Sequence, residues 1–300
     1  DCTLAIGPHQ VRVTNLDKPL WPAQKKTKHA AVTKRDLLRY LARIASYMLP
    51  HLIDRALTVI RMPDGIGGER FFQKHWDSVK LPEFVDSVAV YSETKDVDHR
   101  YLVCNNLPTL LWLGQAGVLE FHVWHSRINP LPDRSGASTR FTGSMANLDA
   151  SILNFPDYLV FDIDPYVYSG KEAKGEEPEF NRPAFDKGRE VALHLNEVLT
   201  AMNLRSIVKT SGKTGLHIFV PIQRTLDFDA TRRVSETVSR HLQQRYPKDV
   251  TIDWSIDKRT GKIFIDYNMN ARTRTLNCAY SPRGLLGAPV SMPLTWEELE

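Results

Sequence analysis

The chain has 300 residues, 42% hydrophobic and 25% charged, with a formal net charge of +4. That is the composition of a soluble globular protein with room for one large or two intertwined cores. It lacks an apolar run long enough to span a bilayer or to act as a signal peptide, and Cys2, Cys104 and Cys278 are too few and too scattered for a disulfide framework or a zinc site. The expected setting is reducing and cytoplasmic. The chain starts at Asp1 rather than at an initiator methionine, as a piece trimmed from something longer would.

In chain order, the first feature is a concentration of charge. Between Arg12 and Arg43 lie Lys18, Lys25, Lys26, Lys28, Lys34, Arg35 and Arg39, opposed by Asp17 and Asp36. A patch of this kind attracts a polyanion, although a solvated loop and helix face has the same composition. Residues 24–30 form a polar connection, and Thr33 with Asp36 three residues on reads as a capping box. Leu37, Leu41, Ile44 and Met48 then follow at helical spacing, which predicts a helix over 33–49 with Arg39 and Arg43 on its outer side. A strand over 57–62, a glycine-rich turn over 63–68 and the group Phe71-Phe72-Gln73-Lys74 come next. Aromatic faces beside cations suit unpaired bases, and an ordinary core pair is the plainer reading. A helix over 105–116 and a strand over 118–124 complete the first half.

The second half opens on Tyr158-Leu159-Val160-Phe161-Asp162-Ile163-Asp164-Pro165. Side chains alternate along a strand, so Asp162 and Asp164 project to one side, and Pro165 closes the strand. A polar loop over 166–182 follows, then a helix over 185–202 and two strands, 207–209 and 216–222, around Thr210-Ser211-Gly212-Lys213-Thr214-Gly215. That turn is a candidate anion cradle, its glycines admitting an anion to backbone N–H groups while Ser211 and Lys213 add a hydroxyl and a charge. The full Walker A pattern fails because position 207 is Ile and a strand, not a helix, follows. A helix over 229–245 and strands near 251–254 and 262–267 lead to Asp266, and a last helix begins at Trp296. Three carboxylates at strand ends suit a pair of hard divalent cations, the usual arrangement for nucleotidyl transfer. Arg259 and Arg283 are candidates to meet a triphosphate, whereas His122 and His217 sit in apolar alternation, where a histidine is more often a hydrogen-bonded core residue. The elements mix strands and helices without an even βαβ cadence, which predicts a mixed α/β, or α+β, fold with no clean linker across residues 1–300.

The ordered set Asn15-Leu16-Asp17-Lys18-Pro19-Leu20-Trp21-Pro22, Phe71-Phe72-Gln73-Lys74, Phe121-His122-Val123-Trp124, Asp162-Ile163-Asp164-Pro165, Ser211-Gly212-Lys213-Thr214-Gly215-Leu216-His217, Phe264-Ile265-Asp266-Tyr267 and Ala279-Tyr280-Ser281-Pro282-Arg283 resembles one family. It is the polymerase domain of bacterial ligase D and its stand-alone archaeal and bacterial relatives, within the archaeo-eukaryotic primase superfamily. The resemblance runs from about residue 10 to 300 in the family's order. It implies a primase-polymerase fold: one domain of two interleaved modules, an RRM-like catalytic sheet and a flanking α/β module, with the active site between them. It also implies template-directed nucleotidyl transfer, by gap filling and end extension, in non-homologous end joining.

By matching motif, Asp162, Asp164 and Asp266 are the expected catalytic metal ligands for two divalent cations, Mn2+ or Mg2+. His122, Ser211, Lys213, His217, Arg259 and Arg283 are expected to meet a ribo- or deoxyribonucleoside triphosphate. Lys18 and Lys34 correspond to a pocket for the 5′-phosphate at a DNA break, with Phe71, Phe72 and Lys74 at the DNA. Two departures stand out: the family often reads S-G-x-K-G, so Lys213 comes one place early, and the insertion at 24–30 separates Lys18 from Lys34. Expected partners are gapped or broken DNA, nucleoside triphosphates and, through the family, Ku and a DNA ligase; no membrane is expected, and the place is the cytoplasm, at the nucleoid. The rivals are a replicative-type primase subunit and a catalytically silent module that binds DNA ends.

Overall fold

The computed structural model describes residues 1–24, 28–165 and 180–300. Lys25, Lys26 and most of the polar loop expected over 166–182 lie outside the described residues. The chain divides into two compact units, each visited twice: Asp1–Asn154 with Thr275–Ser291, and Phe155–Arg274 with Met292–Glu300.

The second unit is built by the alternation in Tyr158–Asp164. Leu159, Phe161 and Ile163 point to one side and are 0–2% exposed. The same side collects Val208, Leu216, Ile218, Val220, Ile263 and Ile265 from neighbouring strands. Two helices cover it: Arg182–Ala201 through Val191, Ala192, Leu195 and Leu199, and Phe228–Arg245 through Val238 and Leu242. Each helix starts on a side-chain cap, Asn181 accepting from the Ala184 N–H and Asp227 from the Ala230 N–H. Burying one such aliphatic or aromatic side chain contributes roughly 1.5–3 kcal/mol, so the register of this strand is strongly held. A one-residue slip would exchange the faces and press Asp162 and Asp164 against the helices.

The principal strands Tyr158–Asp164, Ile207–Thr210, Leu216–Pro221 and Ile263–Asp266 alternate with those helices as β-α-β-β-α-β. In space Ile263–Asp266 and Leu216–Pro221 flank Tyr158–Asp164, and Ile207–Thr210 lies outside Leu216–Pro221, every pair antiparallel. This is the split βαβ arrangement of RRM-like sheets. Val250–Thr251 and Pro293–Leu294 extend the two edges. Beyond the short pairing of Ile263–Asp266, Asn270 continues the ladder: its Oδ1 accepts the Val160 N–H at 2.8 Å and its Nδ2 donates to the Val160 carbonyl at 2.7 Å.

The first unit holds a four-stranded antiparallel sheet in the order Thr275–Asn277, Val118–Trp124, Leu57–Arg61, Phe71–Gln73. The returning segment at Thr275 is thus a strand of a sheet begun at Leu57. Helix Lys34–Leu52 starts on the expected Thr33–Asp36 capping box and shares one core with helix Leu107–Gln115 and the sheet. Two hairpins were not anticipated, Cys2–Ile6 with His9–Val13 and Asp86–Ser92 with Val97–Val103. The second is signalled by alternating Val88, Val90 and His99, Tyr101, Val103. Among the described residues no helix is long and apolar enough to cross a membrane. The mixed α/β class and the RRM-like sheet stand as expected from the sequence.

Gly212 and Gly215 shape the turn between Ile207–Thr210 and Leu216–Pro221. Gly212 has φ +72°, and a Cβ on Gly215 would lie 2.5 Å from the Ile163 carbonyl oxygen. Gly215→Ala should therefore cost about 1–3 kcal/mol in urea denaturation, whereas Gly136→Ala, with no atom within 4 Å of its Cβ, should change stability by less than about 0.5 kcal/mol. Equal stability of the two variants would contradict the close approach.

Candidate active site

The face turned away from the two helices carries the polar residues. Asp162 and Asp164 alternate with buried Ile163, and the register sets Asp266 directly opposite Asp162. Cross-strand partners share a face, so the three carboxylates gather on one side of the sheet, all from the second unit. Their environment opposes ionisation. Burial, then the charge of Asp266, raises Asp164 to about 6, against the pull of Arg259 and Lys213. Burial also raises Asp266, opposed by the Asn268 N–H and by Arg274 and Arg259. Hard oxygen donors held together at this cost fit a divalent cation, whose charge would relieve it.

His217 lies across from Asp162 on the other flank, with Lys209 beyond it. Both are about 5% exposed. The Lys209 Nζ is 2.7 Å from His217 Nδ1, and His217 Nε2 is 3.4 Å from Asp162 Oδ1. With Lys209 as the ammonium donor, Nδ1 keeps the lone pair and Nε2–H faces Asp162. His217 is therefore a buried histidine, as its apolar setting suggested, and its partner is the carboxylate. Ser211 closes the turn, its Oγ accepting the N–H groups of Lys213 at 3.2 Å and Gly215 at 3.0 Å. Despite its shifted place, Lys213 brings its charge to bear on Asp164. Arg259 donates to the Asp253 and Trp254 carbonyls at 2.8 and 2.9 Å and lies 3.5 Å above the Phe264 ring. So anchored, its charge acts on both Asp164 and Asp266.

In the first unit, Glu120 organises two of the expected residues. Its carboxylate takes His122 Nε2 at 3.0 Å, Arg283 Nε at 3.2 Å and the Gly284 N–H at 2.9 Å. Burial alone would raise Glu120, but the His122 hydrogen bond and the Arg283 charge outweigh it and hold the group down at about 2. Phe71 and Phe72 are 41% and 60% exposed, which argues against a core pair, and Lys74 Nζ sits 5.3 Å from the Phe72 ring centre. Lys18 pairs with Asp64 and, with Arg35 and Asp17, lines a cavity of about 570 Å³. Lys34, expected with Lys18 at the 5′-phosphate pocket, is set into the protein. It is 6% exposed, its Nζ donates to the Gln115 carbonyl at 3.3 Å, and burial, then the nearby Lys18 charge, lowers its pKa.

Lys209, Glu120 and Asn270 escaped the sequence reading as site residues. Each acts through a cross-strand or long-range partner, and only the alternation of Lys209 with Val208 hinted at its face. The fold and the carboxylate face define a primase-type nucleotidyltransferase. Residues 33–300 match the family described as LigD, primase-polymerase domain, and the chain belongs to that family. Its members are DNA-directed polymerases and need divalent cations.

The chain is 29% identical over 97% of its length to the bifunctional non-homologous end joining protein LigD of Bacillus subtilis. It is 32% identical over 89% of its length to the multifunctional LigD of Pseudomonas aeruginosa. It spans 40% and 27% of those two proteins. The solved polymerase domain of Mycobacterium tuberculosis ligase D in complex with DNA superposes with a TM-score of 0.77 at 27% identity, covering 96% of this chain and 88% of that one.

Glu120 gives a pH prediction. Its folded pKa, about 2, lies below the ordinary 4.5, so its contribution is complete above pH 4.5 and is lost as pH falls toward 2. Glu120→Gln should destabilise the chain at pH 7 and flatten the acid limb of its stability curve by about 3 kcal/mol. An unchanged acid limb in denaturant titrations would contradict the ion-pair assignment.

Proposed function

We propose that this domain extends a primer 3′ end along a DNA template at gaps and broken ends, in double-strand break repair by non-homologous end joining. The observation that carries the reading is the gathering of Asp162, Asp164 and Asp266 on the helix-free face of an RRM-like sheet. The end-joining context comes from the names of the relatives that the chain matches over nearly its whole length. When bound, two divalent cations, Mn2+ or Mg2+, lower the pKa of the attacking 3′-hydroxyl and neutralise the triphosphate and leaving pyrophosphate.

The chain's own residues do the positioning. Asp162, Asp164 and Asp266 are the ligands, and His217, backed by Lys209, keeps Asp162 Oδ1 turned to its place. Lys213 and Arg259 add fixed positive charge against the negative charge that develops on the phosphates. Ser211 holds the turn that presents Lys213. In the first unit His122 and Arg283, oriented by Glu120, are assigned to the nucleoside triphosphate, ribo or deoxyribo. Phe71 and Phe72 are assigned to base stacking and Lys74 to the DNA backbone. Lys18 is assigned to the 5′-phosphate, with Lys34 reinforcing its charge from beneath. Ku and a DNA ligase are the proposed partners, and the cytoplasm, at the nucleoid, the proposed place.

Primer extension on gapped duplexes tests the reading. Asp162→Ala and Asp266→Ala should each abolish extension while DNA binding persists, and near-normal extension by both would end the metal-ligand assignment. Lys213→Ala should lower kcat/KM for nucleotide about ten- to hundredfold, the loss expected for a charge-assisted phosphate contact, whereas buried Thr214→Ser should change it little. A change of less than about twofold in Lys213→Ala removes that lysine from the site. Wild type should bind gaps with a downstream 5′-phosphate more tightly than those without, a preference that salt weakens and Lys18→Ala removes. Equal binding of both gaps favours a general primase role instead.

A further inference from the structure

Three donors from two segments of the first unit meet in one cluster. Among the described residues, the group of three His, Cys, Asp or Glu donors drawn to within 4.8 Å of one another is His75, Asp77 and His99. His99 lies on Val97–Val103 beside Tyr101, two residues on and on the same face. The segment after Phe71–Gln73 runs against that strand, fixed by the Trp76 N–H to the Arg100 carbonyl at 2.8 Å, which brings His75 over both rings. The His75 and His99 rings stack at 3.8 Å between centres and 3° between planes. Asp77 is clamped from both sides, Oδ1 by the Arg100 N–H at 2.6 Å and Oδ2 by His99 Nδ1 at 2.7 Å. His75 Nε2 lies 3.1 Å from the Tyr101 hydroxyl.

Stacked imidazoles disfavour a second positive charge. The Nε2 of His99 is buried with no hydrogen-bond partner. The Asp77 side chain is 46% exposed and offers an ion a way in. We propose that His75, Asp77 and His99 form a second cation site, separate from the catalytic carboxylates, for a borderline transition-metal ion of the Zn2+ class. Donors around a four-coordinate Zn2+ stand roughly 3.3 Å apart, given bonds of about 2.0–2.1 Å. The Asp77–His99 pair opens slightly to meet that spacing, His99 takes the tautomer with its proton on Nε2 and its lone pair on Nδ1, and the two rings splay so that their lone pairs converge. Asp77 Oδ1 stays on the Arg100 N–H and orients the ligand. Two imidazoles and one carboxylate favour Zn2+ or Co2+, whereas three carboxylates favour Mn2+ or Mg2+. The ion would tie the segment behind Phe71, Phe72 and Lys74 to the hairpin Asp86–Ser92/Val97–Val103 and so brace the exposed aromatic pair.

Co2+ serves as the optical probe, added to the full chain in millimolar Mg2+ that occupies the carboxylate face. A visible d–d band should grow to one equivalent and vanish when Zn2+ displaces the cobalt. His99→Gln should weaken cobalt binding at least about tenfold, and so should Asp77→Asn, a half-exposed position whose replacement leaves the fold intact. Asp266→Asn should leave the band unchanged. Absence of a saturable band in wild type overturns the site, as does a band that survives Asp77→Asn and is lost in Asp266→Asn.

Discussion

The period of two along Tyr158–Asp164 is the constraint on which the site depends. One face of the strand supplies Leu159, Phe161 and Ile163 to a core closed by two helices, and the other face is thereby committed to Asp162 and Asp164. The antiparallel partners obey the same rule, so pairing that buries Ile265 and Ile218 also delivers Asp266 and His217 to the polar face. Hydrophobic burial thus sets the face on which the carboxylates stand, and His217 and the Asn268 N–H then orient Asp162 and Asp266 on it. The core and the chemistry cannot be separated by a register shift, because either both faces are right or neither is.

Placing three carboxylates together has an electrostatic cost that the surrounding residues offset in part. Arg259 and Lys213 pull Asp164 down while burial and Asp266 push it up, and the balance leaves it raised. Lys209 and His217 act on Asp162 from the other flank. That leaves a cluster of carboxylates whose remaining cost the charge of a divalent cation would relieve. Glu120 in the first unit shows the opposite solution. Buried between His122, Arg283 and the Gly284 N–H, it is held fully ionised at ordinary pH and works as an anchor. Carboxylates of one chemical type take two roles according to what surrounds them.

Much of this was legible in the sequence because local patterns were strong. The spacing of Asp162 and Asp164 at the end of an apolar run gave both strand and face, and the helix over 33–49 was marked by its cap and its periodicity. Ser211-Gly212-Lys213-Thr214-Gly215 read correctly as a turn between strands. What stayed hidden depends on contacts across long sequence distances. Lys209 looks like any strand lysine until its neighbour across the sheet is known to be His217. Lys34 reads as one more surface cation in a basic stretch, yet the first turn of its helix directs it inward to the Gln115 carbonyl. The hairpin carrying His99 was passed over although its alternation was present, and with it the meeting of His75, Asp77 and His99.

The most direct measurement is the location of bound Mn2+ by anomalous scattering from crystals of this chain grown with a non-hydrolysable nucleoside triphosphate. The account predicts two manganese peaks within about 2.2 Å of carboxylate oxygens of Asp162, Asp164 and Asp266, in the distance range of hard divalent cations. Manganese that avoids these three carboxylates while nucleotide is bound would contradict it.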